Sequence, residues 1–510
     1  MNYNEQQKQA VEYKGNALSI NSGAGTGKTS VLEGYARANL QTPMLYVCYN
    51  EAIQKEAKAR FPPNVKCVTG HAMAFAVVGK LYSHKLVDNY RLTTIKDFIK
   101  TKSWEVASNC LTVFNNYLSS DDEEFNDSHA KFMRGKTQKD KQLKKITIGF
   151  ARKLWLAATD KENAFPLSHD VYLKMYCLSE PNLSRWFGVI LFDEAQDANP
   201  VIAGFLFRNK CKMILVGDQH QQLYRFRNAI NAMKHFEEEL NADVLIMNKS
   251  FRFGPSVAVV ASAILKYKST IVGCPEFPIE GNSNISDFVT DKLTPKELDA
   301  THTKLHRTVQ GVFDTAINNI HRKIFWVGGI GKYNLQELLD VYHLSVGDKK
   351  LVKRKKLLVD YKSYDIYKES AEEANDFGMK RIIGIIKDHG KTIVSKVNLL
   401  NKNAVRNIKY ADLVISTAHR SKGLEWPFVV LADDFADLFK EDLKLSTDSI
   451  GDELNLLYVA CTRAQKTLLI NDVVKNIIDL YGDNKNGKSR SFKRLKTNEK
   501  PVFNRVKIGE

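Results

Sequence analysis

Cysteine is scarce. Seven cysteines are scattered through 510 residues, at Cys48, Cys67, Cys110, Cys177, Cys211, Cys274 and Cys461, with no Cys-x-x-Cys pair and no Cys/His cluster. A disulfide framework or a structural zinc is therefore not expected, and a reducing compartment suits the chain better. Long apolar runs are missing too. None approaches the roughly 18 residues that a membrane-spanning helix needs. Met1–Gln9 is polar and lacks a signal-peptide pattern. No membrane partner and no secretion are expected. The compartment expected is the cytoplasm, or the nucleus in a eukaryote. Internal repeats are absent, and the polar C-terminal tail is the only low-complexity stretch.

Acidic charge is in deficit: 58 Asp and Glu face 75 Lys and Arg, for a net charge of +17. The excess is concentrated in three places. Lys131–Lys145, Lys349–Lys356 and the tail Asp483–Glu510 each carry net +6, which leaves the other 459 residues at −1. A nearly neutral body with three basic appendages suits a polyanion, and nucleic acid is the commonest one. For any single run, a solvated loop is the alternative.

Apolar residues make up 44% of the chain, which argues against general disorder. The length suits three to four domains at about 150 residues each. Short apolar runs at Ala17–Ile20, Met44–Val47, Val189–Phe192, Met213–Val216, Val244–Met247 and Phe428–Leu431 end in polar or glycine-rich turns. Each reads as a buried strand of a parallel sheet. Helical patterns follow several of them, such as Lys28–Ala38 and Ala52–Ala59. The alternation predicts an α/β chain with doubly wound parallel sheets.

Ser22-Gly23-Ala24-Gly25-Thr26-Gly27-Lys28-Thr29-Ser30 follows a predicted strand and opens a helix. Glycines let backbone N–H groups curl around phosphate oxygens. Lys28 brings a cation to the β- and γ-phosphates, and Thr29 offers a hydroxyl to Mg²⁺. Ser22 stands where the pattern asks for Gly, and little harm is expected. Asp193 and Glu194 sit at the carboxyl end of Val189–Phe192, where such sheets carry active groups. Asp193 suits a Mg²⁺ ligand and Glu194 a base for the attacking water. Alone, this pair is also a plain helix N-cap. Gly217–Arg227 again follows a strand: Gln221 is placed to sense the γ-phosphate. Tyr224 and Phe226, beside Arg227, suit stacked single-stranded bases, or else are core rings.

In order and content these motifs resemble the superfamily 1 UvrD/Rep-like helicases, most closely the helicase portion of the F-box DNA helicases, from Asn4 to about Ile470. The helicase motifs begin at the first residues, so no F-box is expected. The resemblance implies two RecA-like P-loop cores, each with an inserted subdomain. The first core would comprise 1–80 and 186–244, with a mostly helical insertion at 81–185. The second would comprise 245–327 and 406–482, with a small insertion at 328–405. The basic tail is 483–510.

The resemblance also implies residue roles. Gln7 would read the adenine edge and Phe251 would stack on it. Arg252 and Arg463 would be fingers on the γ-phosphate, and Glu425 would touch the ribose. Tyr49, Asn50, Thr69, His71, Thr417 and His419 would grip single-stranded DNA together with Tyr224, Phe226 and Arg227. It further implies ATP and Mg²⁺ as cofactors. Partners would be single-stranded DNA and single/double-strand junctions, with 3′-to-5′ travel by a monomer. The short 328–405 insertion and a weak remnant of the strand-separating hairpin at Tyr481–Phe492 put translocation on firmer ground than unwinding. The tail is either a docking peptide for a protein partner or a solvated end. Lys353–Lys356 reads as a phosphate contact, with a nuclear localisation signal as the alternative.

Overall fold

The computed structural model describes residues 3–223, 232–440 and 442–482, and the backbone alone of 495–496. Tyr224, Phe226 and Arg227 lie outside the described residues, as does most of the tail. The chain divides into two compact units. The first comprises Met1–Ser22, Lys28–Met247 and Glu369–Phe377, and the second Gly23–Gly27, Asn248–Lys368 and Gly378–Glu510.

The first unit is built on a six-stranded sheet. Its strands are β1 (Ala17–Ser22), β2 (Met44–Cys48), β3 (Val65–Thr69), β4 (Val189–Asp193), β5 (Lys212–Gly217) and β6 (Asp243–Met247), in the order β3-β2-β4-β5-β1-β6. Every pairing is parallel. The apolar runs are continuous because both faces are covered. Alternate residues feed two cores. Leu45, Val47, Ile190 and Phe192 enter one cluster, while Met44, Tyr46, Val189 and Leu191 enter the other. The first cluster runs without a break into the inserted helices, α1 (Trp104–Ser119), α2 (Gln138–Thr159) and α3 (His169–Leu178), through Phe114, Tyr117, Leu154 and Tyr172. That insertion therefore shares the core of the sheet it interrupts.

Two details depart from the strand and insertion expectations. Val244 and Ile246 were expected to be buried, yet they are 47% and 54% exposed. Their strand, β6, forms an edge of the sheet and pairs only with β1 among the described residues. The other concerns 328–405, assigned above wholly to the second core. Its segment Glu369–Phe377 groups with the first unit. There Glu373 accepts the Trp104 N–H at 3.0 Å, at the first turn of α1, where helix donors lack internal partners.

The second unit has a sheet of eight strands: β7 (Phe288–Thr290), β8 (His302–His306), β9 (Ile324–Trp326), β10 (Ala404–Val405), β11 (Leu413–Thr417), β12 (Trp426–Leu431), β13 (Ala464–Leu469) and β14 (Leu495–Lys496). The order is β10-β9-β11-β8-β12-β13-β7-β14; among the described residues β14 pairs antiparallel with β7 and the other pairings are parallel. A wholly buried β11 lies next to β8, and His306 pairs with Thr417 at their carboxyl ends. Between β9 and β10 the chain is helical: Leu335–Ser345, Lys355–Asp360, Tyr364–Glu373, Phe377–His389 and Ile393–Asn403. Gly328 and Gly329 open this stretch with φ of 80° and 89°, a turn that side chains with a Cβ resist. Both units are thus α/β with parallel sheets, as the alternation of strand and helix patterns predicts.

Candidate nucleotide and strand-binding site

In the first unit, β1 ends at Ser22 and the helix Lys28–Ala38 begins within six residues. The start of a helix presents free N–H groups and the positive end of its dipole. Ser22 is more than a tolerated replacement for Gly. Its hydroxyl donates to the Gly217 carbonyl at 2.7 Å and ties the end of β1 to the end of β5. Thr29 Oγ1 donates to Asp193 Oδ2 at 2.9 Å, and the Tyr46 hydroxyl donates to the same oxygen at 2.6 Å. Asp193 is buried. Burial first, then the neighbouring Glu194 charge, push its carboxyl above the usual range, against the pull of Tyr46, Lys28 and Thr29. A buried carboxylate with a hydroxyl 2.9 Å away and a second acid beside it is a donor set suited to a hard cation.

Glu194 adopts a left-handed backbone, φ 54°, which is uncommon for a residue with a side chain. Its carboxylate accepts from Gln196 Nε2 at 2.5 Å. Gln196 is fully buried and holds two further segments. Its Oε1 accepts the Asp218 N–H at 3.0 Å, and its backbone carbonyl accepts Gln222 Nε2 at 2.9 Å. Asp218 in turn accepts Gln221 Nε2 at 2.7 Å and the His220 N–H at 3.0 Å. Burial raises the Asp218 carboxyl, with Lys28 opposing. The loops after β4 and β5 are therefore one hydrogen-bonded body that includes Glu194 and Gln221. Sequence reasoning alone does not single out Tyr46, Gln196 or Asp218. The available signal was a polar tip inside an apolar strand for Tyr46, and position within the strand-end motifs for the other two.

Other expected residues have local tasks. Gln7 is buried and accepts the Asn4 N–H at 3.1 Å, while Asn4 accepts the Gln7 N–H, which makes a capping box. The Ser30 hydroxyl accepts from Arg60 at 3.0 Å. Asn50 and Thr69 are N-caps: they accept from Ile53 N–H at 2.9 Å and Ala72 N–H at 3.1 Å. Thr69 is buried, whereas Asn50 and Tyr49 are exposed. His71 Nε2 lies 3.0 Å from Asp170 Oδ1 on α3. A cleft of about 750 Å³ opens inside this unit. It runs from Tyr49 and His71 past α1 and α3 to Asp193 and Glu194.

In the second unit, the short segment Gly23–Gly27 is held at two points. The Ala24 N–H donates to the Tyr458 hydroxyl at 2.9 Å, and the Gly25 carbonyl accepts the Phe251 N–H at 2.7 Å. Gly25 has φ 74°, and a Cβ there would stand 2.7 Å from the Arg252 Cβ, so the position is closed to other residues. Thr26 closes the turn by donating to the Gly23 carbonyl at 3.1 Å. The Phe251 ring is 43% exposed and free to stack. Arg252 Nε donates to Glu425 Oε2 at 2.6 Å and Nη1 to the Thr462 carbonyl at 3.2 Å. Gln465 donates to the other Glu425 oxygen at 2.8 Å. Arg463 is buried, and its guanidinium donates to the Val459 and Leu424 carbonyls at 2.9 and 3.1 Å. Thr417 is buried and caps Arg420 N–H at 3.3 Å. His419, two residues on, is half-buried.

A glycine-rich loop opening a helix, acids at the carboxyl end of another strand of the same sheet, and a second parallel sheet define a P-loop α/β fold of the RecA type. The model of the UvrD-like helicase C-terminal domain matches residues 76–474. This chain belongs to the UvrD-like helicase family. It is 30% identical to F-box DNA helicase 1 of Gallus gallus, over 92% of this chain and 49% of the relative. It is 29% identical to F-box DNA helicase protein 1 of Schizosaccharomyces pombe, over 93% of this chain and 58% of the relative. A probable DNA helicase II homolog of Mycoplasma genitalium is 24% identical, over 51% of this chain and 42% of the relative. The chain thus spans about half the length of the first two relatives.

Proposed function

We propose that this chain is an ATP-dependent DNA helicase that travels 3′ to 5′ on single-stranded DNA. The observation that carries the reading is the body formed by Glu194, Gln196, Asp218 and Gln221 in the first unit. It joins the base expected to act on water to the segment that leads into Tyr224 and Phe226, so that a strand bound there can move the catalytic carboxylate. Names of relatives that include DNA helicase support the substrate.

In this reading Gln7 and Phe251 hold the adenine, and the amides of Gly23–Gly27 with Lys28 hold the phosphates. Thr29 and Asp193 would hold Mg²⁺, which supplies charge neutralisation on the phosphate oxygens. Glu194 orients the attacking water and takes its proton, while Gln221 senses the γ-phosphate. Arg252 and Arg463 offset charge growing on the γ-phosphoryl group, and Glu425 orients the ribose. Tyr49, Asn50, His71, Thr417 and His419 bind the strand. Each round of nucleotide binding and release favours a different grip, so that hydrolysis becomes travel.

The test is ATPase and strand displacement on 3′-tailed, 5′-tailed and RNA substrates. DNA-stimulated ATPase that Lys28→Ala or Glu194→Gln abolishes is expected, with displacement of the 3′-tailed duplex. No stimulation by single-stranded DNA overturns the reading.

A further inference from the structure

Strand β1 carries polar residues that its place in the sheet does not call for. Leu18 and Ile20 enter an apolar cluster, while Ser19 and Asn21 face the opposite side of the sheet. Ser19 is fully buried and Asn21 half-buried. A hydroxyl or carboxamide in such a place lowers stability unless it is hydrogen-bonded. Both side chains meet the same atom. Glu237 Oε1 accepts from Ser19 Oγ at 2.6 Å and from Asn21 Nδ2 at 3.0 Å. Hydrogen bonds to a carboxylate are the strong kind.

Glu237 belongs to the helix α4 (Ala232–Glu239), which ends in three acids, Glu237, Glu238 and Glu239. Glu238 and Glu239 are exposed and pair with Lys234 and His235 of the same helix at 3.7 and 3.2 Å. Glu237 turns instead to β1. Met233 and Phe236 of α4 are buried, and a Cβ on Gly217 would stand 2.5 Å from Met233 Sδ. The helix is therefore packed on the end of β5 and hydrogen-bonded to the end of β1. In the chain, α4 follows the segment that holds Tyr224, Phe226 and Arg227, and Asn21 leads through Ser22 into the phosphate loop.

We infer that Glu237 is a positioning residue: through Ser19 and Asn21 it carries strand binding at 224–227 to the phosphate loop, and so sets how far DNA changes the affinity for nucleotide. The inference rests on the helicase reading above, which gives Tyr224 and Phe226 to the strand. It is a second route beside the Gln196 body. That body ends on Glu194 and acts on turnover, whereas Glu237 ends on β1 and acts on binding.

The test is the Kd for AMP-PNP with Mg²⁺, measured with and without saturating oligo(dT). The ratio of the two values is the coupling factor, and by linkage AMP-PNP must change the Kd for oligo(dT) by the same factor. Glu237→Ala is expected to move that factor toward one by about 2- to 30-fold. Ser19→Ala removes one donor with little change of shape and should move it the same way. Glu237→Gln keeps an acceptor oxygen for both donors and should retain most of the coupling. Nucleotide affinity that Glu237→Ala lowers equally with and without DNA would make the residue a mere support of β1 and overturns the inference. So does a Glu237→Gln protein that behaves as Glu237→Ala, or an unaltered protein whose ATPase responds to DNA but whose coupling factor is one; the helicase reading then stands. ATPase and AMP-PNP binding that are both indifferent to oligo(dT) in the unaltered protein overturn the helicase reading and the inference with it.

Discussion

Gln196 stands between the Glu194 carboxylate and the segment that follows β5: its Nε2 meets Glu194 at 2.5 Å while its Oε1 meets the Asp218 N–H at 3.0 Å. A single carboxamide therefore positions the strained Glu194 and registers the loop that carries Gln221. Gln196→Leu keeps a buried side chain of similar size and removes both bonds. Turnover of ATP with DNA present is expected to fall about 10- to 100-fold, part of the about 10²–10⁴ that a positioned base supplies. The ratio of DNA-stimulated to basal turnover should fall as well, whereas the KM for ATP should change little. Steady-state kinetics with and without single-stranded DNA check this. An unchanged stimulation ratio would reduce Gln196 to a packing residue.

Arg252 and Glu425 neutralise each other at 2.6 Å, although the family resemblance gives each a separate duty toward the nucleotide. For Arg252 to reach a γ-phosphate it has to leave this carboxylate, and Glu425 is then free for the ribose. Glu425→Ala frees Arg252 but removes the ribose acceptor, so its KM for ATP should rise with kcat less affected. Arg252→Lys loses the planar fork and should lower kcat about 10³-fold. Equal effects of both variants on kcat and KM would contradict this division of labour.

How much of this was legible in the sequence depends on how local each feature is. The helix Lys28–Ala38 agrees with its expected bounds, because the glycine-rich turn and the apolar period lie in one stretch. Strand β4 and its two acids are equally local. Asn50, Thr69 and Thr417 were read for the strand they would touch. Each also caps the helix that follows it, since a short polar residue between strand and helix accepts the first free N–H. The hub role of Gln196 was not legible: it exists because the sheet order places β4 beside β5. Strand order likewise decides that Val244 and Ile246 are exposed. An apolar run at an edge looks the same in sequence as one at the centre.

The run Lys353–Lys356 lies at the start of a short helix, and all four side chains are exposed. Arg354 pairs with Glu337 at 3.3 Å, so the others carry the field into solvent. If they hold phosphates, replacing Lys353, Lys355 and Lys356 by Gln should weaken DNA binding. The slope of log affinity against log salt should flatten by about one unit for each phosphate no longer neutralised. Titrations at several salt concentrations measure it directly. A weaker affinity with the same slope would point away from phosphate binding by these side chains.

Asp434 gives a pH dependence of stability with a definite sign. It accepts the Thr308 N–H at 2.9 Å, the Thr308 hydroxyl at 2.7 Å and the Arg307 N–H at 3.0 Å, with the His306 ring 3.5 Å away. Burial alone would raise its carboxyl, yet these partners outweigh burial and hold it at about 2, below the ordinary 3.8. Between those values the unfolded chain binds more protons than the folded one, so stability rises with pH there. The contribution is complete above 3.8 and is lost as pH falls through about 2. Asp434→Asn keeps the shape and removes the titration. The stability gap between the two proteins should be widest at neutral pH and should narrow steadily below pH 3.8. Urea unfolding at a series of pH values from neutral downward checks it. A gap that stays constant into acid would mean that the Asp434 charge adds nothing to the junction of β8 and β12.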